Sequence, residues 1–382
     1  MDFITRVKCS IKKIEYKLFS LGRPIKRQVM FTSFSGKQYS DNPRAISEKL
    51  HELDSTCEIV WGFSSFDDSY GLLPSYVHIV KMGSPEWFVE FAQSAVVVTN
   101  VALVPNVIKR KGQMFIQTWH GDRGFKKILY QAWGEQEPPI PFIDYKITDL
   151  CVAGSEFGIS LYRNAFRFSG DIYSDGCPRN DCLVNPNQDQ INRIRTSLGI
   201  EESNKILIFA PTFRDDDNDL QNVSLDLDSV IEHLQAKGDS WTCLIRAHSG
   251  SPGIEYEYKD NIKDVSDYPD MADLLLIADF LITDYSSCAT DFVLSHKPVI
   301  LFQDDLEDYN SSSRGFSNDP KSSGFIIARS NSELIGILDN YNNEDYYKMC
   351  ENVLTYFGTT ERGYSSYDIS KIIIKHLDNS CL

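Results

Sequence analysis

The stretch Phe280-Leu-Ile-Thr-Asp-Tyr-Ser-Ser-Cys-Ala-Thr-Asp-Phe-Val-Leu-Ser-His-Lys-Pro-Val-Ile-Leu-Phe302 decides the fold. Phe280–Thr283 is a short apolar run and reads as a buried strand. Cys288–Ser295 reads as a helix, and Val299–Phe302 is a second apolar run after a proline. Strand, helix, strand in so short a span is a βαβ unit, which implies a parallel sheet. The same style extends outward in both directions. Upstream, Ile206–Ala210 and Thr242–Arg246 read as strands. Further back, Val29–Phe34, Glu58–Phe63, Ala95–Thr99, Met114–Thr118 and Cys151–Ala153 do so too, with helical stretches at Arg44–Leu53 and Glu86–Ser94. No tandem repeat or low-complexity stretch interrupts the pattern.

At roughly 100–200 residues per domain, 382 residues predict two domains. The turn-rich segment Asp175–Asp181, followed by Asn185-Pro-Asn-Gln-Asp-Gln, marks the boundary. The expected layout is a lead helix over 1–28, a first Rossmann-like domain over 29–180 and a second over 181–382. Ligands in such doubly wound sheets bind beyond the carboxyl ends of the strands.

The net charge is -16, yet residues 1–27 carry eight basic side chains against Asp2 and Glu15, a local charge of +6 that leaves -22 elsewhere. An acidic body argues against nucleic-acid binding. In the lead segment Ile4, Val7, Ile11, Ile14 and Leu18 recur at helical spacing among lysines. Such a helix either lies on an anionic membrane surface or packs on the first domain with its lysines in water. No run of about 18 apolar residues is present, so no spanning helix is expected, and no signal peptide is expected either. The nine cysteines contain no CxxC pair, which predicts free thiols in a reducing cytoplasm rather than a zinc site.

The residues past the strand ends carry the chemistry. Met114–Thr118 runs into Trp119-His120-Gly121-Asp122-Arg123-Gly124. His120 can take a hydroxyl proton near neutral pH, Gly121 and Gly124 let the backbone turn closely around a phosphate, and Arg123 supplies positive charge. The alternative is a loop histidine bonded to a backbone carbonyl. Arg246 and His248 alternate onto one side of a strand end and suit a diphosphate, or form surface ion pairs. Ser286 and Ser287 open a helix and offer an anion site, or Ser286 is an ordinary N-cap. Pro211, Thr212 and Arg214 follow a further strand in the same way.

Taken together, Phe34–Pro43, Gln117-Thr-Trp-His-Gly121, Gly176-Cys-Pro-Arg-Asn-Asp181, Ala210-Pro-Thr-Phe-Arg-Asp215, Arg246-Ala-His248 and Asp284-Tyr-Ser-Ser287 with Asp291 resemble the CDP-glycerol glycerophosphotransferases of teichoic acid synthesis. Lys297-Pro-Val-Ile and the segment from Asp305 through Arg314-Gly-Phe fit as well. The resemblance implies a GT-B fold, two doubly wound α/β domains facing an interdomain cleft. It implies transfer of glycerol phosphate, or ribitol phosphate, from a CDP-linked donor to a hydroxyl of a lipid-linked teichoic acid or capsule glycan, with release of CMP. His120 becomes the general base, with His248 as a second catalytic candidate. Arg179, Pro211, Thr212, Arg246, His248, Ser286, Ser287 and Asp291 fall on donor-contacting positions, and Gly121, Asp122, Arg123 and Arg214 are further substrate-binding candidates. The family usually continues past the histidine and glycine with Thr-Pro-Leu-Lys, where this chain has Asp122-Arg-Gly-Phe-Lys-Lys. No metal or cofactor is expected beyond the donor, with Asp284 and Asp291 the residues to watch. The expected setting is the inner face of the cell membrane. A nucleotide-sugar glycosyltransferase of the same fold, or a non-catalytic partner in glycan assembly, are the competing readings.

Overall fold

The computed structural model describes residues 3–65, 73–103, 108–133, 142–212, 221–222, 224–247, 254–256, 259–307, 309, 315–340 and 342–380. The chain divides into two compact units: Met1–Asp122, Ile128–Asp181 and Thr360–Leu382 form the first, and Arg123–Lys127 with Cys182–Thr359 the second.

The first unit is built on a seven-stranded parallel sheet. Its strands are β1 (Lys26–Thr32), β2 (Glu58–Phe63), β3 (Val77–Lys81), β4 (Ser94–Thr99), β5 (Met114–Gln117), β6 (Leu150–Val152) and β7 (Asp171–Tyr173), in the order β3-β2-β1-β4-β5-β6-β7. Side chains alternate across each strand, and both faces are covered. Val29 and Phe31 of β1, Ile59, Trp61 and Phe63 of β2 and Val96 and Val98 of β4 pack on one face with Ile46 and Leu50 of a helix over Asp41–Leu53. Met30, Val60 and Val97 fill the other face with Trp87, Phe88 and Phe91 of a helix over Pro85–Gln93. Burial on both faces explains why these strands read as unbroken apolar runs.

The second unit carries β8 (Lys205–Ala210), β9 (Gln221–Asn222), β10 (Trp241–Ile245), β11 (Ile254–Glu255), β12 (Ile262–Asp264), β13 (Phe280–Thr283), β14 (Val299–Phe302) and β15 (Ile327–Ala328). Its main sheet is six parallel strands in the order β12-β10-β8-β13-β14-β15, and β9 pairs with β11 apart from it. In each main sheet the strand order reverses once, between β1 and β4 and between β8 and β13. The loops beyond those strand ends are where a doubly wound sheet opens a binding crevice.

Two features depart from the sequence reading. The helix Ser365–Ser380 belongs to the first unit, not to a second domain running from 181 to 382. Its Ile369, Ile373 and Leu377 are fully buried against Ile46, Leu50 and the β1 face. The lead helix Phe3–Ser20 packs on the helix Pro85–Gln93 through Tyr16, which lies edge-on to Phe91 at 5.7 Å, and Phe19, stacked on Phe88 at 5.9 Å. The apolar stripe identified from the sequence is a different face: Val7, Ile11, Ile14 and Leu18 are 40–62% exposed. The side chain of Ile4 lies outside the described residues. Among the described residues no helix is long and apolar enough to cross a membrane, and the eight described cysteines are all free.

Candidate active site

In the first unit the site grows from the ends of β1, β4 and β5. Gln117 closes β5 and is fully buried. Its amide donates to the Val101 carbonyl at 2.8 Å and to Asp144 Oδ1 at 2.7 Å, while its Oε1 accepts from Trp119 N–H at 2.9 Å. That last bond holds Trp119 in the left-handed region, with φ of +48°. The sequence placed the tight turn at Gly121 and Gly124, but neither glycine has positive φ; the turn falls on Trp119. Four of the seven described non-glycine residues with positive φ, Phe34, Ser35, Asp41 and Trp119, lie in the loop after β1, at the start of the helix Asp41–Leu53 or beside His120. Each costs on the order of 1–3 kcal/mol and persists only where its surroundings enforce it.

His120 follows. Its Nδ1 lies 2.6 Å from the Asn100 carbonyl. A carbonyl only accepts, so Nδ1 carries the proton, and in the neutral ring Nε2 carries the lone pair. Asn100 is itself fixed: its Oδ1 accepts from Phe34 N–H at 2.8 Å and its Nδ2 donates to Ser33 Oγ at 3.1 Å. The rings of Phe34 and Trp119 flank the imidazole at 5.1 and 4.1 Å between centroids. Burial raises the Asp144 carboxyl to about 6, opposed by the hydrogen bonds from Gln117 and Leu103 N–H. Asp122, a substrate-binding candidate from the sequence, is buried and accepts from Gly154 N–H at 3.1 Å and Ser155 Oγ at 2.6 Å, so it anchors its loop to the first unit.

Arg179 joins this end of the first unit. It sits in the short turn Pro178–Asn180, its side chain 7% exposed and 3.7 Å from Asp41. Glu361 holds that turn, accepting from Cys177 N–H and from the Asn180 amide, both at 2.8 Å. Asp181 accepts from the backbone N–H groups of Ser365 and Ser366 at 2.9 and 2.7 Å, where a carboxylate favours the positive end of the following helix.

In the second unit the candidates gather beyond β8, β10 and β13. Asp284 is buried and organises them: it accepts from Thr212 N–H at 2.9 Å, from Thr212 Oγ1 at 2.9 Å and from Tyr285 N–H at 2.5 Å. Pro211 is buried beside Thr212. The guanidinium of Arg246 donates to the Tyr268 carbonyl; burial disfavours its charge, and Asp270 opposes that effect. Ser286 Oγ accepts from Cys288 N–H at 3.3 Å, whereas Ser287, at the cap position of the five-residue helix Cys288–Phe292, makes no capping bond with its side chain. Arg123, expected to be a phosphate-binding cation, is instead buried and donates to Asp291 at 2.9 Å, a pairing that also occupies Asp291. Phe125 is buried nearby against Phe325 and Phe357. Arg214 and His248 lie outside the described residues.

Sequence reasoning gave no role to Asn42, Asn100, Gln117, Asp144 or Glu361, although Asn42 and Gln117 lie within the family-like stretches Phe34–Pro43 and Gln117–Gly121. The available signal was position: Asn100 directly follows β4, and Gln117 ends β5.

Two doubly wound parallel α/β units with polar residues gathered at the strand ends define a two-domain enzyme scaffold of the GT-B-like kind. The chain belongs to the CDP-glycerol:poly(glycerophosphate) glycerophosphotransferase family, whose model matches residues 15–375. It is 33% identical over 343 residues to a teichoic acid glycerol-phosphate transferase of Staphylococcus aureus (strain NCTC 8325 / PS 47), covering 82% of this chain and 85% of that one. It is 29% identical to a teichoic acid poly(glycerol phosphate) polymerase of Bacillus spizizenii (strain ATCC 23059 / NRRL B-14472 / W23), over 96% of both. Among solved structures, the wall teichoic acid polymerase TagF, as a histidine-to-asparagine variant soaked with CDPG, superposes with a TM-score of 0.83 at 25% identity over 100% of both chains.

Proposed function

We propose that this enzyme transfers glycerol phosphate from CDP-glycerol to a hydroxyl of a teichoic acid-type glycan acceptor, releasing CMP. The observation that carries the mechanism is the Nδ1–H of His120 donating to the Asn100 carbonyl, which puts the lone pair of the neutral ring on Nε2, the atom that takes the proton of the acceptor hydroxyl. The oxygen so exposed attacks the glycerol-bearing phosphorus of the donor. The bond from that phosphorus to the bridging diphosphate oxygen breaks, and CMP leaves with the electron pair. Such transfers depend mainly on positioning and on stabilising charge as it develops. Arg246, Ser286 and Ser287 supply cation and donors toward the diphosphate, with Arg179 a further donor contact and Thr212, whose N–H and hydroxyl donate to Asp284, lining the site. His248 and Arg214 join this set through the family resemblance. No metal is assigned a part, since the Asp284 carboxylate is engaged by Thr212 and Tyr285 and Asp291 by Arg123.

The test is CMP release from CDP-glycerol, CDP-ribitol and UDP-sugars with a polyprenyl-linked acceptor, for wild type and His120→Ala. Turnover with CDP-glycerol is expected to fall about 10²–10⁴-fold in the variant, with donor affinity little changed. Near-normal turnover removes His120 from the mechanism, and turnover with UDP-sugars alone favours a glycosyltransferase.

We also propose that the enzyme works as a peripheral protein on the inner face of the membrane. The support is the lead helix: Tyr16 and Phe19 tie it to the first unit, while Val7, Ile11, Ile14 and Leu18 stay exposed among Lys8, Lys13 and Lys17. An apolar stripe edged by lysines suits an anionic lipid surface. Replacing the four stripe residues by serine should abolish co-sedimentation with anionic vesicles without unfolding the protein. Equal binding by both forms would refute this.

A further inference from the structure

We infer that Asn42 is a positioning residue that holds the backbones of His120 and Arg179 in one fixed frame. The inference rests on the reading of His120 as the base. Asn42 is fully buried at the second position of the helix Asp41–Leu53. The residue before it, Asp41, has φ of +65° and the residue after it is Pro43, so the backbone around Asn42 is tightly constrained.

Its amide is used at both ends. Nδ2 donates to the Trp119 carbonyl at 3.0 Å and, more weakly, to the Thr118 carbonyl at 3.4 Å. Oδ1 accepts from the backbone N–H of Arg179 at 3.0 Å. The Trp119 carbonyl belongs to the peptide bond that leads into His120, and the Arg179 N–H belongs to the arginine itself. One rigid, planar group therefore spans the two loops, which are 59 residues apart in the chain. The chemistry demands an amide. A carboxylate of the same shape only accepts: it would keep the Arg179 bond and set an oxygen against the Trp119 carbonyl. Alanine removes both bonds and leaves buried backbone groups deprived of this partner. Trp119 sits in a strained left-handed conformation that the Gln117 bond at its N–H and the Asn42 bond at its carbonyl enforce together, so losing Asn42 removes half of that restraint on the His120 loop.

The test measures kcat and KM for CDP-glycerol, together with melting temperature, in Asn42→Ala, Asn42→Asp, His120→Ala and the Asn42→Ala/His120→Ala double variant. Asn42→Ala is expected to lower kcat about 10²-fold, the loss typical of a small misplacement of a reacting group, and to raise donor KM as well, because the backbone bond of the donor contact Arg179 is lost with it. Asn42→Asp should be as slow, although it retains the Arg179 bond; if the alanine variant melts below the assay temperature, the aspartate variant carries the test. The double variant should be no slower than His120→Ala alone, because residues acting as one unit are non-additive. A folded Asn42→Ala with kcat near wild type, or losses that multiply in the double variant, overturns the inference. A His120→Ala enzyme of near-normal turnover overturns the base assignment as well, whereas a slow His120→Ala beside a fast Asn42→Ala overturns only the role of Asn42.

Discussion

Replacing Arg123 separates two accounts of the loop that follows His120. From sequence, Arg123 is a cation for substrate phosphate; in the structure its side chain is 1% exposed and paired at 2.9 Å with Asp291, itself 9% exposed. Arg123→Met keeps much of the side-chain volume and withdraws the cation from a buried carboxylate. Breaking such a pair on one side costs about 3–5 kcal/mol, because desolvation is no longer offset. In a cooperative unit of 150–250 residues each kcal/mol moves the melting temperature by about 2–4 °C, so a drop of roughly 6–20 °C is expected. The Arg123→Met/Asp291→Leu double variant, which removes both charges, should recover most of that loss. Thermal scans by circular dichroism, run beside donor saturation curves, read both quantities. A variant with unchanged melting temperature and a raised KM for CDP-glycerol would refute the ion-pair account and return Arg123 to the substrate.

Two further outcomes follow from local geometry. Gly36 has φ of +81°, and a Cβ there would lie 2.5 Å from the Met82 sulfur and 2.7 Å from Ser64 N; Gly36→Ala should destabilise the first unit by about 2–5 kcal/mol from strain and overpacking together, measured by urea titration, and a loss under about 1 kcal/mol would contradict it. The Asp144 carboxyl is raised by burial from 3.8 to about 6, so the folded state holds this proton more tightly than the unfolded chain. Stability should therefore decline by up to about 3 kcal/mol as pH rises from 3.8 toward 6. Asp144→Asn should flatten that slope in urea melts at stepped pH, and parallel curves for the two proteins would exclude Asp144 as its source.

Apolar runs bounded by polar residues made the central strands readable. Glu58–Phe63, Phe280–Thr283 and Val299–Phe302 begin and end where the sequence reading puts them. The edges were less legible: β3 exposes four of its five side chains at least partly to solvent, and β7 and β15 are three and two residues long, too short to show a period. The helix Ser365–Ser380 was assigned with the rest of 181–382 to the second domain, because an apolar face in a sequence carries no address for the sheet that will receive it. Strand-end positions such as His120, Thr212, Arg246 and Ser286 were singled out because the architecture tells where to look. Asn42 and Asn100 were not, because their side chains bond to residues 66–137 positions away, and an asparagine in a sequence carries no sign of such partners.

The contribution of the helix Ser365–Ser380 to the first unit bears on how the chain is made. A ribosome delivers β1 through β7 long before it delivers Ile369, Ile373 and Leu377, which cover the β1 face. The second unit's Cys182–Thr359 emerges in between. The first unit to be synthesised is thus the last to be completed. Until then its sheet presents Val29, Phe31, Val96 and Val98 with part of their cover missing, a surface that chaperones recognise and that invites aggregation. Stalling or truncation before residue 369 would release chains whose second unit has its own core complete and whose first does not.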